Sequence, residues 1–403
     1  HLSIRRQRQM CIRDSYTGYP AKPSLTGARN CYWERLREKG TIFFRKIMIE
    51  YNQPYMQVMD MKNFIAKQLN SGAVASIWNC DALECYCKWP SPTAIIVDGP
   101  YGVGGFPGDS KTVDTLPQWY AAHIAAWSAA AKPNTTLWFW GTELGWATVH
   151  PILLVNGWDY QEANVWDKGI GHIAGNINSK TIRKTPVVTE VCVRYTKKVL
   201  LPLHDGTAVP IKEWLRAEWK RTGLPLSKTN EACGVKNAAT RKYFTADGLW
   251  YFPPADAMEK LSLYANQHGI ETPNPYLSID GKTPVTAEQW QQMRAKWNYK
   301  HGVTNVWHIP ALHNAERLKK RNGKSLHYNQ KPKEIINYLI ETSTDRGDVV
   351  WDPFAGLATV GVCSLDLGRK CYCAEIMNEV YQNAVQRLQN AIKVELELNG
   401  DVI

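Results

Sequence analysis

The chain has 403 residues, 44% of them hydrophobic and 21% charged, with a formal net charge of +11 at neutral pH. That length holds a full catalytic domain plus an addition, and no run approaches the roughly 18 apolar residues that a membrane-spanning helix needs. A soluble intracellular protein with a polyanionic partner is expected, because Lys and Arg set against phosphates are the main sequence-independent source of nucleic-acid affinity.

The charge begins early. Residues 1–46 hold eleven Lys or Arg against Asp14, Glu34 and Glu38, which reads as a basic arm running to residue 59. Asp60 to Leu69 is predicted as a short helix and Ala73 to Trp78 as a strand ending at Asn79-Cys80-Asp81. Thr93 to Asp98 is a second strand, followed by a glycine-rich loop, Gly102 to Gly108. Leu116 to Ala131 has helical periodicity, Thr135 to Trp140 reads as a buried strand and Trp146 to Val155 as a helix. Strands near Tyr160 to Trp166 and over Val187 to Tyr195 complete this half. Strands alternating with helical segments in this way indicate a mainly parallel sheet with helices on both faces.

From about Leu200 to Pro310 the grammar changes to short helices broken by Pro253-Pro254, Pro273 and Pro275. Thr286-Ala287-Glu288-Gln289 forms a capping box that opens a helix expected to reach Trp297. Sheet grammar resumes with a helix over Lys331 to Ser343, a strand over Asp348 to Asp352, a helix over Leu357 to Leu367, a strand over Cys371 to Glu375 and a helix over Asn378 to Ile392. The tightest cysteine group, Cys80, Cys85 and Cys87, lacks paired Cys-x-x-Cys spacing and reads as reduced thiols, so no metal is expected.

Two distant stretches share one grammar: Ile95-Ile96-Val97-Asp98-Gly99-Pro100-Tyr101 and Val349-Val350-Trp351-Asp352-Pro353-Phe354-Ala355-Gly356. Each is an apolar run, as in a strand buried on both faces, ending in an acid and a turn with Gly and Pro. Ligands of open α/β sheets bind beyond such strand ends. After the second turn, Glu375 stands about 20 residues on, where an acid can accept two ribose hydroxyls. The full glycine pattern expected of a phosphate cradle is absent, which favours a donor without phosphate.

Together the two stretches resemble the amino-methyltransferases of DNA, in which an Asp-Pro-Pro-Tyr turn holds the target base and an Asp-Pro-Phe-x-Gly turn holds S-adenosylmethionine. The order here matches that family's circularly permuted β group, and the resemblance covers roughly residues 60–198 and 300–393. It implies a doubly wound, mainly parallel Rossmann-like α/β methyltransferase sheet with an inserted, mostly helical recognition module. The expected division is an arm over 1–59, a target-base half over 60–199, a recognition module over 200–310 and a donor half over 311–403. S-adenosylmethionine is the implied methyl donor and double-stranded DNA the implied partner. A second copy of the chain and a companion restriction endonuclease are further candidates, and the implied location is the cytoplasm.

Residue by residue, the resemblance places Asp98, Gly99, Pro100 and Tyr101 at the base, with Tyr101 as a stacking face. It places Asp81, Asp98, Asp352, Pro353, Phe354, Ala355, Gly356, Thr359 and Glu375 at the donor. His327-Tyr328-Asn329-Gln330-Lys331-Pro332 is similar to the family's His-Pro-x-Gln-Lys-Pro, which assigns Gln330, Lys331 and Pro332 to the donor's methionine end. Trp166 and Lys168 match a Trp-x-Lys strand end beside the base pocket. Two positions depart from the pattern: Gly99 stands where Pro is usual, and Ala358 where a second glycine is usual. Asp98 in first position favours adenine, since the N4-cytosine enzymes more often carry Ser there. Methylation at carbon 5 of cytosine is excluded because no proline is followed by the needed cysteine. Rival readings are an N4-cytosine enzyme, a relative acting on structured RNA, or a DNA-binding regulator whose catalytic domain has decayed.

Within the module, Leu226 to Phe244 has the grammar of a helix-turn-helix: Ser227 as cap, Ala232 for close crossing, Gly234 as turn and Val235 opening the second apolar face. Its exposed face is expected to present Lys236, Asn237, Thr240, Arg241 and Lys242 to DNA.

Overall fold

The computed structural model describes residues 63–67, 72–104, 109–172, 181, 183–236, 239–246, 248–312, 316–319, 326 and 330–398. The basic arm over 1–59, Asn237 and His327 to Asn329 lie outside the described residues. Residues Met61–Ile403 form one compact unit.

The first described element corrects the expectation of a helix over 60–69: it is a strand, β1 (Asn63–Lys67). Phe64 and Ala66 face inward while their neighbours face out, a period of two that suits an edge strand. It pairs antiparallel with β2 (Val74–Trp78). There follow β3 (Ala94–Val97), α1 (Leu116–Ala130), β4 (Thr136–Gly141), α2 (Glu143–Val155), β5 (Trp158–Asp167) and β6 (Thr189–Lys197). Every residue of β3 and β4 is buried, as expected of central strands covered on both faces.

The inserted region starts with the hairpin β7 (Leu200–Pro202) and β8 (Ala208–Pro210), then α3 (Ile211–Arg221), α4 (Lys228–Cys233), α5 (Ala255–His268) and α6 (Ala287–Gln291). After it come β9 (Val306–His308), α7 (Lys333–Ser343), β10 (Val349–Asp352), α8 (Thr359–Asp366), β11 (Lys370–Ala374) and α9 (Asn378–Leu398).

Among the described residues the main sheet runs β1-β2-β11-β10-β3-β4-β6-β5-β9. Its central pairs, β2–β11, β11–β10, β10–β3 and β3–β4, are parallel, while β6 is antiparallel to both β4 and β5. Helices cover both faces: Ile335, Leu339, Val362, Tyr381 and Leu388 pack on one, Tyr120, Ile124, Trp127, Val149 and Leu153 on the other. The expected doubly wound α/β sheet is therefore present. Chain order reverses between β10 and β3: β10 continues through α8 to β11 on one side, β3 through α1 to β4 on the other. Such a switch point opens a crevice at the strands' carboxyl ends.

The insertion has its own core of Trp214, Trp219, Met258, Leu261, Leu277 and Trp290. In α3, Ile211, Trp214, Leu215, Glu218 and Trp219 are buried, the i, i+3, i+4, i+7, i+8 stripe of an amphipathic helix. The capping box at Thr286 forms as expected, but the helix stops at Gln291, not Trp297. Beyond it the chain must bring Lys296 to Asp345 and Asp348, each at 2.7 Å.

These contacts place the insertion. Asn134 Nδ2 donates to Gln292 Oε1 at 2.8 Å, the Arg194 guanidinium lies 4.0 Å over the Trp297 ring, and Asn298 Nδ2 donates to the carbonyls of Glu341 and Thr344 at 3.0 and 3.2 Å. Asn134 precedes β4 and Asp348 precedes β10, so the insertion is anchored at the amino ends of the parallel strands, the edge away from the crevice.

Candidate active site

Both sequence motifs end on neighbouring parallel strands. Val350 of β10 is in register with Ala94 of β3 and Trp351 with Ile95, so Asp98 and Asp352 emerge side by side and wall one cavity of about 290 Å³.

Asp98 opens the turn. Its Oδ1 accepts from the Tyr101 hydroxyl at 2.7 Å and from Lys331 Nζ at 2.7 Å, and its Oδ2 from the same ammonium at 2.8 Å. The turn is also held from beneath, because the Tyr120 hydroxyl donates to the carbonyl of Pro100 at 3.0 Å. Gly99 leaves no space for a larger residue: a Cβ there would lie 2.5 Å from the Tyr120 hydroxyl and 2.8 Å from the Phe354 ring. Asp109 ties the glycine loop back, accepting from the N–H of Gly102 at 2.8 Å and of Val103 at 3.1 Å.

The donor side is walled by carboxylates and rings. Asp81, Asp352 and Glu375 share the cavity with Trp119, His123 and Phe354. Asp81 caps the short turn 82–84, accepting from the N–H of Leu83 at 2.9 Å. Glu375 accepts from the N–H of Met377 at 2.7 Å and of Gly356 at 3.0 Å, which joins the acid to the glycine turn. Burial raises its carboxyl above the usual range despite those two bonds. Burial, reinforced by the charge of Asp98, pushes Asp352 well up. Burial also lowers His123 to about 4, so its ring is neutral near pH 7. Three acids without a Lys or Arg partner among the described residues suit a cationic ligand rich in hydroxyls, and the rings suit an apolar or aromatic part of it. The residues present therefore fit S-adenosylmethionine.

Of the other donor residues, Pro353, Ala355, Gly356 and Thr359 line the cavity, with Thr359 Oγ1 accepting from Arg387 Nη1 at 2.8 Å. Gln330 lines it too, but its amide is spent on the backbone of Glu316 and Leu318, at 2.8 and 3.1 Å. Lys331 belongs with the base-side acid more than with the donor, and Pro332 is not among the cavity's walls. Ala358 has φ +53°, the left-handed conformation that glycine adopts freely.

Several expected residues are engaged elsewhere in the fold. The Tyr101 ring is not an open stacking face: it is 6% exposed, and its hydroxyl is bound to Asp98 and to Glu190 at 3.1 Å. Trp166 is buried, its indole donating to the carbonyl of Ile309 at 2.6 Å, and Lys168 is paired with Glu190 at 2.6 Å. Neither borders the cavity. The helix-turn-helix does not form as expected, since its second helix is a five-residue 3-10 turn over Ala239–Tyr243. Thr240 is buried, its hydroxyl 2.6 Å from both Thr229 Oγ1 and Asn230 Oδ1. Ser227 makes no cap bond and Val235 is exposed, whereas Gly234 does turn the chain with φ +65°. Lys236, Arg241 and Lys242 are exposed, as expected, on a module whose described anchors lie at the amino edge.

Sequence reasoning missed Glu190, Tyr120, Trp119 and His123. Glu190 carried a signal: it is the one charge in Val187 to Cys192, an otherwise apolar or Thr-bearing strand stretch. The other three sit on one helix face and read as ordinary core.

Residues 93–386 match the family described as DNA methylase, whose members modify N6 or N4 amino groups. The type II methyltransferase M.HinfI of Haemophilus influenzae is 34% identical over 92 residues, 23% of this chain and 26% of that protein. The DNA adenine methyltransferase YhdJ of Escherichia coli (strain K12) is 32% identical over 95 residues, 24% and 31% of the two chains. The matched stretch thus spans only about a quarter to a third of those relatives. Solved structures that resemble the chain include the M1.HpyAVI–SAM complex, with 16% identity, a TM-score of 0.42 and coverage of 77% of this chain and 98% of that one. The cytosine-N4-specific PvuII DNA methyltransferase has 11% identity, a TM-score of 0.45 and coverage of 79% and 91%.

Proposed function

The chain belongs to the DNA methylase family, and from that premise we propose that it methylates the exocyclic amino group of adenine in double-stranded DNA, using S-adenosylmethionine and a base turned out of the duplex. The observation that carries this reading is the shared cavity of Asp98 and Asp352 at the switch point. When bound, S-adenosylmethionine supplies an electrophilic methyl group on a sulfonium. Asp352, Asp81 and Glu375 would hold the donor by hydrogen bonding and electrostatics, and Asp98 and the backbone carbonyl of Gly99 would accept from the two hydrogens of the amine. An amine so held would have its lone pair drawn out of the ring's delocalisation, and the work of these residues would be positioning and electrostatics. Asp in first position, as in the family's adenine enzymes, supports adenine, as does the partial match to an adenine methyltransferase.

The surface that meets DNA is, in this reading, the catalytic edge. By sequence, 169–188, between β5 and β6, carries three Lys or Arg and no acid, Lys168 being spent on Glu190, and 309–330 carries five against Glu316 alone. The inserted region over 200–300 carries thirteen against ten acids. Phosphate affinity follows net cation density, which favours the two connections over the expected recognition module.

Incubation of unmethylated duplex DNA with labelled S-adenosylmethionine, followed by nucleoside analysis, tests the proposal. N6-methyladenine is expected. N4-methylcytosine instead would correct the base, and no transfer to DNA by a protein that binds the donor would reject the reading.

A further inference from the structure

Behind Asp98 lies a buried ionic cluster. The Lys331 ammonium, with a side chain 3% exposed, touches both oxygens of Asp98, lies 3.3 Å from Glu190 Oε2 and 3.1 Å from the Tyr101 hydroxyl, and sits 4.9 Å from the centre of the Trp140 ring. Glu190 reaches in from β6, on the opposite side of β4 from Asp98. Its other oxygen binds Lys168 at 2.6 Å, at the outer rim of the cluster.

Resting on the methylation reading, we infer that Glu190 is a positioning residue for transfer: by sharing the Lys331 ammonium it keeps Asp98 only partly neutralised, as an acceptor for the target amine. An isolated Asp98–Lys331 pair would be neutral and closed, with the ammonium drawing on both oxygens that the substrate needs. A second carboxylate on the same ammonium divides that charge, and although Lys168 at the far oxygen of Glu190 brings the four groups to neutrality, the share of Lys331 that Glu190 takes is not spent on Asp98. As the amine attacks, positive charge develops on its nitrogen, and an Asp98 carboxylate less neutralised by Lys331 stabilises it in a water-poor site. The ionisation states agree. Burial pushes the Lys331 ammonium down, but Asp98 and Glu190 outweigh it and hold it above the ordinary lysine value. Burial pushes Glu190 up, but Lys331 and Lys168 outweigh it and hold that carboxyl below its ordinary value. Tyr101, raised by burial and then by Asp98 and Glu190, keeps its proton.

The test is kcat, donor Kd and Tm for Glu190→Gln and Glu190→Asp, measured on the full chain with duplex DNA. Glu190→Gln keeps the shape and removes the charge. It is expected to lower kcat at least about tenfold with donor Kd and KM for DNA within about threefold, while Glu190→Asp restores part of the loss. A packing role predicts the reverse ranking, because the shorter side chain of Asp breaks more contacts than the isosteric amide. Wild-type kcat in Glu190→Gln would overturn the inference, as would a loss matched by lost folded protein, or equal loss in both variants. Absence of transfer by the wild-type chain would instead reject the methylation reading itself, so the two failures are distinguishable.

Discussion

The two edges of the central sheet handle charge in opposite ways. At the amino edge, where the insertion is anchored, acids and bases find each other: Lys296 bridges Asp345 and Asp348, and Lys300 meets Glu341. At the carboxyl edge Asp81, Asp352 and Glu375 have no cationic partner among the described residues, and the buried Lys331 ammonium is divided between Asp98 and Glu190. Paired groups hold a fold together; leftover charge costs stability and is kept where a ligand completes it. The difference assigns structure to one edge and chemistry to the other.

The strongest way to break that comparison is to remove the base-side acid. Asp98→Ala is expected to lower transfer by at least about 10³-fold while donor Kd stays within a few fold, since its acceptor role is confined to the base. Equal loss of donor binding, read by calorimetry, would move Asp98 to the donor site. Next in size is Gly99→Pro. The change restores the family's usual residue yet is expected to cost about 1–3 kcal/mol by overpacking, because Tyr120 and Phe354 fill the space that its ring requires. Adding Tyr120→Phe removes the nearest atom and is expected to recover part of the loss. A Gly99→Pro protein of unchanged Tm would show that the turn can move.

The DNA-facing proposal is sharpened by charge removal at each edge. Arg183→Ala with Lys184→Ala is expected to weaken DNA binding by up to about tenfold and to flatten the salt dependence, by roughly 0.9 in log–log slope for each phosphate no longer neutralised. Arg241→Ala with Lys242→Ala, on the insertion, is expected to change neither. The reverse ranking in a salt titration would return recognition to the insertion.

How much of this was legible in the sequence follows from the range of each interaction. Apolar runs ending in an acid marked β3 and β10, because burial on both faces writes itself into consecutive residues, and the resemblance to the methyltransferase pattern is what joined Asp98 with Asp352. Thr286 and Gln289 announced their cap for the same local reason. Contacts between distant segments left no such mark. Nothing in Gln330-Lys331 says that the lysine crosses to Asp98, 233 positions away, nor that Tyr120 lies under Gly99. The helix-turn-helix expectation failed at Thr240, where hydrogen bonds to Thr229 and Asn230 draw inward a residue that helical periodicity placed outside. Anchoring of the insertion at the amino edge likewise rests on single long-range pairs such as Asn134 with Gln292.

A smaller effect tests whether leftover charge costs stability. The folded protein holds the Asp352 proton above its unfolded value, by burial first and the Asp98 charge second. The unfolded chain therefore releases that proton first as pH rises, and stability falls with pH through the window from the unfolded to the folded pKa. Asp352→Asn removes the burden. It is expected to raise Tm near pH 7 by a few degrees, with the gain vanishing in acid, and to weaken donor binding. A lower Tm with intact donor binding would make Asp352 a structural residue.

The smallest effect concerns the turn that follows. Ala358 is fully buried and holds φ +53° at the start of α8, with its N–H donated to the carbonyl of Ala355 at 2.7 Å. A residue with a Cβ pays roughly 1–2 kcal/mol in this conformation, but glycine loses more entropy on folding, and the Ala358 methyl group is fully buried. The terms nearly cancel, so Ala358→Gly is expected to stabilise by no more than about 1 kcal/mol. Its sign is the informative part. A gain in Tm with unchanged donor Kd means that the strain is carried for packing alone, whereas tighter donor binding on release of the strain would mean that the Asp352–Gly356 turn is held slightly off its best approach to the ligand.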